Sequence, residues 1–94
     1  MPNFKQDILD AVGEEVIECV KIHHNRDYYD DKSNKELLNV KLTWEQAAPL
    51  FNYTYNDGFG GMDCHDITVW TATRVYYIHE YDGSTALYSV ERNP

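Results

Sequence analysis

The stretch with the densest chemical functionality is residues 57–66, DGFGGMDCHD, which holds three glycines, three aspartates, a cysteine and a histidine. A thiol beside an imidazole is the pairing that nucleophilic cysteine catalysis requires. Neighbouring side chains in an extended segment point to opposite faces, however, so a local pair of Cys64 and His65 is disfavoured. Cys64 would instead need His23 or His24, brought to it by the fold. We interpret the stretch as a glycine-shaped loop, long enough to be a recognition loop as well.

Other site chemistries fit this stretch poorly. Gly58 and Gly60 begin a dinucleotide-type G-x-G, but the third position is Asp63 and no helix follows to hold a phosphate. A calcium loop would need alternating oxygen ligands and a closing glutamate. The cysteines and histidines of the chain lack C-x-x-C or H-x-x-x-H spacing, which zinc sites favour. We therefore predict no metal, no cofactor and no enzymatic activity, with a metal site or a Cys/His enzyme around Cys64 and His65 as the alternative.

A second candidate is the acidic and aromatic run RDYYDDK at residues 26–32. It is either a solvated hairpin tip or a contact surface for a basic protein, because carboxylates pair with Arg and Lys while tyrosines fill shallow pockets. The predicted partner-binding residues in these two stretches are Asp27, Tyr28, Tyr29, Asp30, Asp31, Asp57 and Asp63.

The totals of the chain restrict its class. Ninety-four residues support one core, so we predict a single domain over 1–94. The net charge of -8 comes from 16 acids and 8 bases, which argues against direct binding to nucleic acid or to an anionic membrane and leaves a basic protein partner open. Two cysteines are too few for a disulfide scaffold, no signal peptide is evident, and no apolar run approaches a membrane span. We expect a cytoplasmic protein.

The hydrophobic periodicity predicts an α+β fold in the order αββαβββ. A helix is expected over about 3–12, capped by Asn3, and a short one from Trp44, where Thr43 and Gln46 have the spacing of a capping box. Strands are expected in EEVIECVKIHH, in ELLNVKL, and in three segments after residue 65 that are rich in β-branched and aromatic residues. The predicted architecture is an antiparallel sheet of about five strands with both helices on one face.

The dipeptide Asp82-Gly83 predicts a two-residue hairpin, in which paired residues have numbers that sum to 165. One face then carries Tyr77 opposite Tyr88 and Val75 opposite Val90, and we expect it to pack on the helices because it lacks charge. The other face has an apolar centre rimmed by charge, which is typical of a contact surface for a partner or a second copy. Scattered surface residues, or burial under the other hairpin, are the alternatives. The centre of this second face consists of Tyr76, Ile78 and Leu87.

The last third of the chain contains a tryptophan-threonine pair at 70–71, a V-Y-aromatic strand at 75–77, a Y-D-G turn at 81–83 and an R-N-P ending at 92–94. With these features it resembles the C-terminus of small uncharacterised bacterial and phage-borne proteins. The resemblance covers residues 66–94. It implies a phage or prophage setting and no activity or catalytic residue.

We predict a non-enzymatic interaction protein that binds and blocks a host protein with a basic surface. The concrete form is an inhibitor of a nucleic-acid-handling defence machine, of the anti-CRISPR kind, since such targets expose Arg- and Lys-lined grooves. A self-associating structural module, a homodimer joined through the face of Tyr76, Ile78 and Leu87, is a further alternative.

Overall fold

A computed structural model of the chain describes residues 1–26, 35–58, 62–81 and 84–93. The fold is α+β, as predicted. Its helices are α1 (Phe4–Val12) and α2 (Trp44–Ala47), with single 3-10 turns at Lys35–Leu37 and Ala48–Phe51. Its strands are β1 (Ile17–His24), β2 (Asp66–Thr71), β3 (Arg74–Tyr81) and β4 (Ser84–Glu91).

Both helices begin where the sequence predicts. The Asn3 side chain accepts a hydrogen bond from the backbone N–H of Gln6 at 2.9 Å, and α1 ends at Gly13, whose φ of 68° favours glycine. Thr43 and Gln46 form the predicted capping box at the start of α2. Pro49 has no backbone N–H, so the helix gives way to a 3-10 turn. Neither helix, nor any other in the described ranges, is long and apolar enough to cross a membrane.

The four strands form one antiparallel sheet in the order β1-β2-β3-β4. The pairing of β3 with β4 follows the predicted register at every position, from Arg74 opposite Glu91 to Tyr81 opposite Ser84. The turn residues Asp82 and Gly83 lie outside the described residues, but the register confirms the pairing that a two-residue connection requires.

The core lies between the helices and one side of this sheet, which we call the inner face. Phe4, Ile8 and Val12 project from α1 into this space, and their spacing of four puts them on one side of the helix. Both helices pack on the inner face, as predicted. The core residues that the sheet contributes are Val20, Ile22, Ile67, Val69 and Tyr76.

The predicted strand ELLNVKL is not a strand, so the described sheet has four strands and not five. Leu38 and Leu42 form only isolated bridges with Ile22 and Val20. The reason is Asn39, whose φ of 59° is left-handed and interrupts the alternation of side chains that a strand needs. Val40 is consequently 44% exposed.

The two faces of the β3–β4 hairpin are the reverse of the prediction. Tyr76 lies opposite Val69 of the core and is buried, so the side of Tyr76, Ile78 and Leu87 packs toward the helices. The charged residues that had argued for exposure of this side lie at the strand ends. There Glu80 and Glu91 reach solvent, and Arg74 turns its guanidinium onto Ser89.

Candidate binding surface

The glycine-rich stretch ends in a closed polar cluster formed by Arg26, Tyr53, Asp63 and His65, which we call the Tyr53–His65 cluster. The backbone N–H of His65 donates to the Tyr53 hydroxyl at 2.9 Å. The same hydroxyl forms a second hydrogen bond, of 2.8 Å, with Nδ1 of the His65 ring. One tyrosine hydroxyl therefore satisfies two buried groups of the same histidine.

Arg26 closes the cluster from the solvent side. Its guanidinium carbon lies 4.1 Å from the centre of the Tyr53 ring, a cation–π contact. The guanidinium also donates to the backbone carbonyls of Thr54 at 3.0 Å and Asp63 at 3.2 Å. The Asp63 carboxylate lies 3.5 Å from it and accepts the backbone N–H of Asn56 at 3.0 Å. Asp63, predicted as a partner-binding residue, is thus occupied by internal contacts.

The pKa values of His65 and of its neighbour Cys64 are typical of buried groups with a structural role. Burial lowers the pKa of His65 to about 4, and the Arg26 charge acts in the same direction. Burial also raises the pKa of the Cys64 thiol to about 12, with further increases from the Asp63 and Asp66 carboxylates. At neutral pH the imidazole and the thiol are both uncharged. A cysteine nucleophile needs the opposite shift, toward a thiolate.

His23 of β1 has other surroundings. The Nδ1 atom of His23 lies 3.1 Å from Asn39 Oδ1, and its Nε2 atom lies 2.8 Å from the Thr68 hydroxyl. These contacts use both ring nitrogens. Among the described residues, no three His, Cys, Asp or Glu side chains converge as they would to hold a metal ion.

The side of the sheet opposite the helices presents a different surface, which we call the outer sheet face. The described helices bury their apolar residues on the inner face. Tyr77, Tyr88 and Val90 are exposed by 37, 45 and 51%. Strand alternation and register place the following side chains on the outer sheet face: Cys19, Lys21, His23, Thr68, Trp70, Val75, Tyr77, His79, Ala86, Tyr88 and Val90.

Aromatic rings form an ordered group on the β3 and β4 side of the outer sheet face. Tyr77 and Tyr88 are directly opposite in β3 and β4, and their rings stack with centroids 6.1 Å apart. His79 meets Tyr88 edge-on at 5.4 Å. Such contacts hold the rings in place before any partner arrives, which lowers the entropy cost of binding. The outer sheet face can therefore anchor another molecule.

The structure separates the predicted partner-binding residues. Asp57 is exposed, Asp63 is tied to Arg26, and Tyr76, Ile78 and Leu87 lie on the inner side of the sheet. The acidic and aromatic residues Asp27, Tyr28, Tyr29, Asp30 and Asp31 lie outside the described residues.

The exposed rings of Tyr77 and Tyr88 were not among the predicted site residues. Their pairing was predicted correctly, and only their orientation was wrong. The signal that would have corrected it is the pairing of β2 with β3, which places Tyr77 opposite Thr68 and leaves Tyr76 with Val69.

Comparison with known protein families, with curated proteins and with solved structures finds no match. The surface is therefore interpreted from its own geometry.

Proposed function

We propose that this chain is a non-enzymatic interaction protein that anchors a partner protein on its outer sheet face. The observation that carries the proposal is the exposed, stacked pair of Tyr77 and Tyr88, flanked by the exposed Val90. Tyrosine is enriched at protein interfaces because it combines a large apolar ring with a polar tip and loses little side-chain entropy. Tyrosine is also one of the residue types enriched in binding hot spots.

The charge of the chain supports a partner with a basic surface. The net charge is -8. Two copies of a chain with this charge repel each other, whereas a basic partner is attracted over long range. We therefore favour a basic partner over a second copy.

The specific form of the proposal is inhibition. A protein that covers the Arg- and Lys-lined groove of a nucleic-acid-handling host protein would block that groove, as an anti-CRISPR protein does. The net charge and the resemblance of residues 66–94 to phage-borne proteins support this form, with action in the cytoplasm of a bacterial host. The aromatic face supplies the anchor, and the acids supply attraction.

The test is a pull-down from nuclease-treated bacterial lysate, followed by binding kinetics with the captured protein. We expect one stoichiometric basic protein. A Tyr77→Ser/Tyr88→Ser variant should bind about tenfold more weakly or worse, mainly through faster dissociation. The matched control is Val16→Ser, which removes an apolar side chain that is 80% exposed outside the strands. Added salt should slow association by screening the net charge, with a smaller effect on dissociation.

Two outcomes would contradict the proposal. Equal affinity of the double variant and the wild-type protein would show that the outer sheet face is not the anchor. An empty bait, together with a dimer in light scattering that the double variant abolishes, would show that a second copy covers the face.

A further inference from the structure

A small pocket lies at one edge of the outer sheet face, beside β1. Its volume is about 240 Å³, and its lining residues are Glu18, Cys19, Lys21, Lys41, Trp70 and Arg92. Three of the eight basic residues of the chain therefore line one pocket, in a protein with 16 acids. The pocket holds only one of those acids, so its local charge is opposite in sign to that of the whole protein.

The backbone forces two of these cations together. Val20 and Leu42 exchange two backbone hydrogen bonds, each of 2.8 Å, in an antiparallel bridge. Their neighbours Lys21 and Lys41 are consequently opposite each other. Because Val20 and Leu42 are buried, alternation directs both lysines to the outer side. Like charges directly opposite across a strand pair are destabilising, so this arrangement raises the free energy of the protein when the pocket is empty.

The carboxylate in the pocket does not neutralise the lysines. Glu18 accepts a hydrogen bond from Arg92, whose Nη1 also donates to the Thr71 carbonyl at 2.7 Å. This pairing fixes the guanidinium at the pocket wall. Within the part of the chain that the structure describes, neither Lys21 nor Lys41 forms an ion pair. Two ammonium groups thus remain available to an anion from solution.

The pocket also offers an aromatic ring. The Lys21 ammonium lies 6.0 Å from the centre of the Trp70 ring, so an anion bound by Lys21 lies close to an indole. The volume is below the roughly 300–1,000 Å³ of pockets that enclose a drug-sized ligand, so it accommodates one group of a larger molecule. Outside the pocket, the row from Lys21 continues through Thr68, Tyr77 and Tyr88 in successive strands. A planar ring attached to the anion would lie on this hydroxyl- and ring-bearing surface.

We propose that this pocket binds the phosphate of a nucleoside monophosphate, with Lys21 and Lys41 on the phosphate and the base against Trp70 and the adjoining outer sheet face. A single phosphate suits two flexible ammonium groups, which bind it as point charges. The net charge of -8 opposes a long polyanion more than one phosphate, since fields from distant acids are screened beyond about 8 Å at physiological salt. The site does not depend on the proposed protein-binding function.

The experiment is calorimetric titration of the full chain with AMP, inorganic phosphate and adenosine. We expect AMP to bind at one site, about tenfold more tightly than phosphate or adenosine alone, because only AMP uses both parts of the site. The Trp70 indole N–H resonance should shift on binding. Trp44→Phe leaves Trp70 as the remaining tryptophan of two and allows the same titration by fluorescence quenching.

The diagnostic variant is Lys21→Gln/Lys41→Gln, which should bind AMP about tenfold more weakly or worse. It removes a like-charge pair, so we expect it to be no less stable than the wild-type protein, which circular dichroism on heating would check. The matched control, Lys5→Gln/Lys35→Gln, makes the same change of charge outside the pocket and should bind normally. Three results would overturn the proposal: equal AMP affinity in the two double variants, phosphate binding as tight as AMP, or no binding at millimolar AMP. A single-stranded oligonucleotide without a terminal phosphate that bound more tightly than AMP would indicate a polymer ligand instead and would also overturn it.

Discussion

The Tyr53–His65 cluster and the outer sheet face use the same residue types for opposite purposes. Each contains a tyrosine next to a histidine, with ring centroids 5.7 Å apart for Tyr53 and His65 and 5.4 Å apart for Tyr88 and His79. In the cluster the Tyr53 hydroxyl forms hydrogen bonds with both the backbone N–H and the ring Nδ1 of His65. On the outer sheet face, the hydroxyls of Tyr77 and Tyr88 form no hydrogen bond with a described residue.

The comparison shows that burial and hydrogen bonding distinguish a structural pair from a binding pair, because the distance between the ring centroids is similar in both. A buried, satisfied hydroxyl stabilises the fold, and its loss leaves partner groups unpaired. An exposed ring contributes little to the fold and keeps its surface for another molecule. Stability measurements can therefore separate the two regions before any ligand is known.

The largest effect should come from the aromatic core beneath the cluster. Phe4 is fully buried, stacks on Tyr53 at 5.6 Å and meets Phe51 and Tyr55 edge-on, both at 5.3 Å. We expect Phe4→Ala to lower the free energy of unfolding by about 3–5 kcal/mol, measured by urea denaturation. Val90→Ala on the outer sheet face should change it by about 0.5 kcal/mol or less. Similar losses in the two variants would remove the distinction between the regions.

The next effect is pH dependence from His65. Its pKa is about 4 in the folded protein and near 6.5 in an unfolded chain, so between these values the unfolded state binds more protons. The free energy of unfolding should therefore fall as the pH is lowered from about 6.5 to 4, by as much as about 3 kcal/mol from this group. Above pH 6.5 the contribution is complete.

The measurement for this second effect is urea denaturation at a series of pH values. His65→Asn, which retains a hydrogen-bond acceptor but no group that titrates in this range, should have a shallower pH dependence than the wild-type protein. Indistinguishable profiles for wild type and His65→Asn would contradict a buried neutral imidazole in the cluster.

The smallest effect should come from the removal of a single hydroxyl group. Tyr53→Phe leaves the backbone N–H and the ring Nδ1 of His65 without their partner, and we expect a loss of about 1–3 kcal/mol. Tyr77→Phe is the identical chemical change on the outer sheet face and should cost about 0.5 kcal/mol or less. Thermal and urea denaturation of both variants gives the comparison. Equal losses would mean that the Tyr77 hydroxyl has a structural partner.

Local signals in the sequence were sufficient for much of the fold. The cap at Asn3, the capping box at Thr43 and the register of the last hairpin depend on nearby residues, and the structure confirms them. The break at Asn39 was not predictable in the same way, since its left-handed conformation accompanies a hydrogen bond from its N–H to the Ile22 carbonyl at 2.7 Å, a contact between distant parts of the chain.

The orientation of the last hairpin was wrong for a related reason. The absence of charge on the side of Tyr77 and Tyr88 was read as burial, although charges at strand ends reach solvent from either face. Only the pairing of β3 with β2 decides the matter, and that pairing joins segments without a tight-turn signal between them. The Tyr53–His65 cluster was likewise beyond local reasoning, because it joins Arg26 to residues 53–65.

The backbone hydrogen bonds that join residues 2–4 to residues 53–55 have a consequence for folding. The backbone N–H of Phe4 donates to the Tyr53 carbonyl at 2.8 Å, and that of Tyr55 donates to the Pro2 carbonyl at 3.0 Å. The helix that follows has nine residues, fewer than an isolated helix needs to be stable in water. Its formation therefore depends on contacts with residues some fifty positions away along the chain. A variant from which residues 51–55 are deleted should show no residual helix in its first segment. The intact domain should acquire its structure in a single cooperative step.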